Sequence, residues 1–145
     1  MDRRGKAAFL ALVVVHALHS IEEYAFRLYE VFPPARFVSG LFASDLRTGF
    51  IIFHMTLVIF GLWCYAGPVR RNGASARILV WFWVVIEIVN GVGHPAWAIA
   101  ARGYVPGAAT APFLLILAVY LAYHSLLSKT VRSEPDATKS APKLG

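Results

Sequence analysis

His16-Ala17-Leu18-His19-Ser20-Ile21-Glu22-Glu23 places two imidazoles and two carboxylates inside a run that is otherwise apolar over residues 7–26. At roughly 100° per residue, the spacing i, i+3, i+7 brings His16, His19 and Glu23 within about 60° of one another on a helix, with Glu22 about 60° beyond His19. The stretch reads as one helix with one polar face. Ionisable groups in a membrane segment point into a bundle interior or a wet cavity, because burying them in hydrocarbon is costly. The remaining apolar segments are therefore expected to pack around this face.

Composition agrees with that reading. Of 145 residues, 58% are hydrophobic and 15% charged, with a mean hydropathy of +0.60, too apolar for an ordinary soluble domain. The net charge of +6 does not mark a nucleic-acid partner, since the Lys and Arg residues lie between apolar runs instead of forming a stripe on a soluble fold. Cys64 is the single cysteine. It has no internal disulfide partner and reads as a small buried hydrophobe.

Four apolar segments, over residues 7–26, 48–69, 78–101 and 111–128, suit helices. A span needs about 20 residues, and the uncharged part of the first covers only 7–21, which puts Glu22 and Glu23 at or just below the far interface. A basic start before an apolar core also suits a signal peptide, but no small-x-small cleavage site follows. Residues 27–47 read as an irregular loop because of Pro33-Pro34 and Gly40, with Tyr24, Phe26, Tyr29, Phe32, Phe37 and Phe42 forming an interfacial aromatic belt. Gly67-Pro68 closes the second helix, Pro95 is expected to kink the third, and Pro106-Gly107 marks a turn. The expected fold is all-α: a polytopic membrane protein with a four-transmembrane-helix bundle over residues 1–128. A disordered cytoplasmic tail over 129–145, rich in Ser, Pro, Asp and Lys, follows. Ten Lys and Arg residues fall on the side of the N-terminus and four on the other, which places both termini of a multi-pass cell-membrane protein in the cytoplasm.

With a rise of about 1.5 Å per residue, His19 and Glu23 lie at depths of roughly 18 and 24 Å from the cytoplasmic end, and Glu87, Asn90 and His94 at about 14, 18 and 24 Å. His54 comes out near 20 Å on the same scale. Three helices thus converge on the outer half, and the spacing of Glu87, Asn90 and His94 repeats that of His16, His19 and Glu23. Blander readings exist for several residues. His16 and His124 suit hydrogen-bonded packing residues, Tyr120 and Tyr123 core or interfacial aromatics, and Asp45 with Arg47 a loop salt bridge or a helix cap.

His19-Ser-Ile-Glu22-Glu23 and Asn90-Gly-Val-Gly-His94, followed by Tyr104-Val-Pro106-Gly107-Ala-Ala-Thr110, resemble the HXXEE domain family of small integral membrane proteins. The resemblance spans nearly the whole apolar portion and implies that His19, Glu22, Glu23, Asn90 and His94 are the motif residues. It implies no established reaction. His16, His54 and Glu87 lie outside those motifs and rest on depth and spacing alone.

Four functions fit this pattern. A membrane enzyme would hold zinc or iron through some of His19, Glu22 or Glu23, His54 and His94, with Glu87 as a further ligand, although neither a His-Glu-x-x-His nor a Glu-x-x-His signature is present. A metal-free acid/base enzyme would use Glu22 or Glu23 with a histidine on a lipid-soluble substrate such as an isoprenoid or sterol-like ring, with Trp81, Trp83, Trp97 and Phe82 sheltering a carbocation. An oligomer passing protons or metal ions along the His and Glu chain is the third, and a structural membrane protein the fourth. The partners on these readings are the lipid bilayer and a lipophilic small molecule, with no nucleic acid.

Overall fold

A computed structural model describes residues 1–130 of the chain. The segment expected to be a disordered tail lies, from residue 131 on, outside the described residues.

The first long helix, α1 (Arg3–Ala25), begins four residues earlier than hydropathy suggests. Asp2 caps it, accepting from the Gly5 amide at 2.8 Å, so charge at the start does not prevent helix formation. That bond and the His124 contact hold the Asp2 carboxyl below its ordinary pKa. After Arg27, in the left-handed region at φ 56°, the stretch expected to be an irregular loop forms two helices instead, α2 (Leu28–Val31) and α3 (Pro33–Phe42). Pro33-Pro34 interrupts one helix and starts another, because a proline in the first turn lacks only an amide that has no intrahelical acceptor. The backbones of α3 and the next helix touch: a Cβ on Gly49 would sit 2.0 Å from the Ser39 carbonyl oxygen.

Asp45 caps α4 (Leu46–Cys64), accepting from the Thr48 amide at 2.9 Å and its hydroxyl at 2.6 Å. The cap reading of Asp45 is the one realised, and these bonds lower its pKa from the ordinary value. The helix continues as a π-helical turn, Tyr65–Val69, around Pro68. Next, α5 (Ala76–Ala101) runs on through Pro95 and ends at Arg102 in a left-handed C-cap with φ 50°. α6 (Ala111–Thr130) passes the expected boundary at residue 129.

The described residues contain no strand and six α-helices instead of the expected four. Three segments, Arg3–Ala25, Leu46–Val69 and Ala76–Ala101, are long and apolar enough to cross a membrane, and Ala111–Leu126 is a shorter apolar helix. The long helices alternate in direction, as contacts at their ends show. At one end the Met1 amino group donates to Asn72 Oδ1 at 3.0 Å, Lys6 Nζ donates to the Arg70 carbonyl at 2.8 Å, and His124 Nε2 lies 2.9 Å from Asp2 Oδ1. At the other end Glu22 meets the loop before α6.

α1 packs between α4 and α6, and α5 packs on α6. Phe9, Leu12 and Val13 of α1 join Trp83, Val84, Leu114 and Leu121 in the core. Two glycines set its tightness. A Cβ on Gly61 would lie within 3.0 Å of both Val13 and Trp83, and one on Gly91 within 2.9 Å of Leu115. Large apolar side chains such as Ile78, Val89, Ile99 and Ile116 remain outward and exposed, a surface compatible with lipid and unusual in water.

Candidate metal centre

The polar faces of α1 and α5 meet at two levels. At the inner level His16 Nδ1 lies 2.8 Å from Glu87 Oε1, Asn90 Nδ2 donates to Glu87 Oε2 at 3.2 Å, and the His16 ring stands edge-on to Trp83 at 5.1 Å. His16 and Glu87 are buried. Asn90 is thereby joined to Glu87, and Glu87 to His16.

One turn further out, three imidazoles from three helices surround Glu23. His19 Nε2 and His94 Nε2 lie 3.3 and 3.2 Å from Glu23 Oε1, and His54 Nε2 lies 3.3 Å from Oε2. Glu23 and His19 are buried, and His94 nearly so; His54, at 16% side-chain exposure, is the open side. The ligating atoms of His19, Glu23 and His94 all fall within 4.8 Å of one another.

The outer nitrogens of two of these rings are already committed. Thr110 Oγ1 donates to Glu22 Oε2 at 2.6 Å, so its lone pairs accept from His19 Nδ1–H at 2.7 Å. The carbonyl of Phe50 accepts from His54 Nδ1–H at 2.9 Å, and the Phe50 ring stacks on His54 at 3.8 Å. In the neutral rings, this tautomer assignment leaves a lone pair on each Nε2, directed at a carboxylate that also offers lone pairs. Such an arrangement repels unless a cation or protons lie between. A charge-assisted N–H···O contact has a length of about 2.7–2.9 Å. The edge of a tetrahedral zinc site with metal–ligand distances near 2.0–2.1 Å is about 3.3 Å. The contacts of His19 and His94 to Glu23 Oε1 match the second length.

Glu22 points the other way. Its carboxylate accepts from Tyr104 OH at 2.5 Å, Ala109 N at 3.0 Å, and Thr110 N and Oγ1 at 2.9 and 2.6 Å. An anion held by amides just ahead of Ala111 also suits the positive end of α6. Partial desolvation, then the hydrogen bond to Glu22 and its charge, push the Tyr104 hydroxyl up to about 12, so it stays a donor. The loop presses on the cluster as well. Gly107 has φ 87°, and a Cβ there would lie 2.7 Å from the His19 ring and 2.8 Å from the His94 ring.

A family model described as a protein of unknown function with HXXEE motif matches residues 10–121. The chain belongs to the HXXEE family. Neither curated proteins nor solved structures gave a match.

Within the HXXEE motif the two glutamates face different partners, although neighbouring carboxylates read alike in sequence. Successive helical residues differ by about 100°: Glu23 turns inward to the imidazoles, whereas Glu22 anchors the loop whose Thr110 orients His19. Glu22 thus accepts from Tyr104, Ala109 and Thr110 and is joined to His19 only through Thr110. Glu87, read as a further ligand, is paired with His16 one turn below. The parts of Thr110, Tyr104 and the Phe50 carbonyl went unassigned at the sequence level. Thr110 and Tyr104 had a signal in the Tyr-x-Pro-Gly-x-x-Thr pattern, but a backbone carbonyl has none.

Proposed function

We propose that this HXXEE protein is an integral membrane metalloprotein in which His19, His94 and Glu23 hold a zinc-like divalent cation, with His54 on the second carboxylate oxygen. On this reading α1, α4, α5 and α6 span the bilayer, the basic end faces the cytoplasm, and the centre lies near the opposite interface. Imidazole and carboxylate ligands with one position left open suit a Lewis-acid centre that acts on a lipid-soluble substrate. One observation carries the proposal: His19 Nε2, with its Nδ1 committed to Thr110, and His94 Nε2 approach the same Glu23 oxygen at 3.3 and 3.2 Å, the edge length of a tetrahedral site.

Metal analysis of the purified full-length protein tests it, with about one ion per chain expected and His94→Ala expected to lose it. Full-length protein that turns over a lipid substrate with no metal bound overturns the reading in favour of acid/base catalysis. A second measurement isolates the orienting shell. Thr110→Val keeps the side-chain shape but removes both the acceptor of His19 and the hydroxyl donor of Glu22, so metal affinity should fall by about 10–100-fold in competition with a chelating indicator. An unchanged affinity would show that Thr110 does not set the ring.

A further inference from the structure

A groove of about 510 Å³ runs along the first half of α1, far from the Glu23 cluster, lined by Arg3, Lys6, Ala7, Leu10, Ala11 and Val14 with Tyr65 of the π-helical turn as its wall. The α1 residues follow one helical stripe with the spacing i, i+3, i+4, i+7, i+8, i+11. Charge is confined to the first turn of that stripe, and everything beyond is apolar. From Arg3 to Val14 the stripe extends about 16 Å, close to the thickness of one leaflet of a hydrocarbon core of about 30 Å. The groove has the dimensions and polarity of a single amphiphile.

The two cations have no carboxylate against them among the described residues. Asp2, the nearest in sequence, accepts from the Gly5 amide and lies 2.9 Å from His124 Nε2. Lys6 donates one bond to the Arg70 carbonyl at 2.8 Å, which fixes the ammonium at the rim and leaves two donors. Lys and Arg dominate this end, the end where anionic headgroups collect if it is cytoplasmic.

We propose that this groove binds one anionic glycerophospholipid, its phosphate on Arg3 and Lys6 and one acyl chain along Ala7, Leu10, Ala11 and Val14. The site is independent of the metal centre. Native mass spectrometry of the full chain, released from equal phosphatidylglycerol and phosphatidylcholine, tests it. Wild type should retain phosphatidylglycerol over phosphatidylcholine by about tenfold or more, given two basic groups at the headgroup. Arg3→Gln/Lys6→Gln should abolish that preference, while Arg36→Gln, outside the groove, should keep it. Because the double variant also weakens the topology signal, Ala11→Trp serves as a second test: it fills the tail groove with both cations in place and should expel the lipid. Equal retention of the two lipids by wild type overturns the proposal, as does a phosphatidylglycerol adduct that survives Ala11→Trp. A lipid-free mass, meaning a groove filled by the chain's own residues 131–145, or a dimer mass, meaning a second copy, overturns it too.

Discussion

Glu23→Gln should give a folded protein that binds divalent metal more weakly by well over the roughly 10–100-fold that the loss of an orienting partner costs. Among the described residues Glu23 is the sole anion in ion-pair contact with His19, His54 and His94, so the amide removes the charge that draws a cation and presents an NH2 group to rings that also need to ligate. The stability change discriminates further. In metal-free wild type, the Nε2 lone pairs of His19 and His54, whose Nδ1–H groups are committed, face carboxylate oxygens at 3.3 Å, a repulsion that the glutamine amide relieves by donating to one of them. Without metal, the variant should therefore melt at or above wild type. With metal at about a thousand times its dissociation constant, wild type gains about 4 kcal/mol from binding and the order reverses. Thermal unfolding in detergent, with a chelator and then with zinc, reads both. A metal-free variant much less stable than wild type, with zinc shifting both equally, would mean that Glu23 is a packing group.

The sequence carries this crossing because its elements are helices. A fixed rotation and rise per residue converts the spacing of His16, His19 and Glu23, and of Glu87, Asn90 and His94, directly into faces and depths, and three helices do meet where those depths overlap. The same arithmetic puts Glu23 between His16 and His19 on the polar face and Glu22 about 60° beyond it, but it cannot choose a partner for Glu22. That choice is made by the loop before α6, whose Thr110 and Ala109 amides capture Glu22. Nor does hydropathy reveal α2 and α3. Pro33-Pro34 reads as a breaker from upstream and as a helix start from downstream, and close packing of Ser39 on Gly49 selects the second. The family pattern recorded Tyr104, Gly107 and Thr110 without their reasons; the geometry supplies a donor to Glu22, a close approach to two rings and an acceptor for His19.

Gly107→Ala should be the most damaging single-methyl change in that loop. At φ 87° an L side chain is strained, at a cost on the order of 1–2 kcal/mol, and the added carbon would meet the His19 and His94 rings at 2.7–2.8 Å. Ordinary contact begins near 3.4 Å, so the rings or the loop must give by about 0.6–0.7 Å, several times the tolerance of about 0.2 Å on metal–ligand distances. If the loop yields, Thr110 moves with it and His19 loses its orienting acceptor; if the rings yield, two ligands leave position together. Both routes end in weak metal binding and lower stability. Gly103→Ala is the control within the same loop, because its nearest neighbour would be 3.8 Å away and no ring lies in its path. Chelator competition and thermal unfolding on the two variants should separate them sharply, with Gly103→Ala close to wild type. Equal behaviour of the two would mean that the loop does not hold the imidazoles, and the coupling from Glu22 through Thr110 to His19 would fall with it.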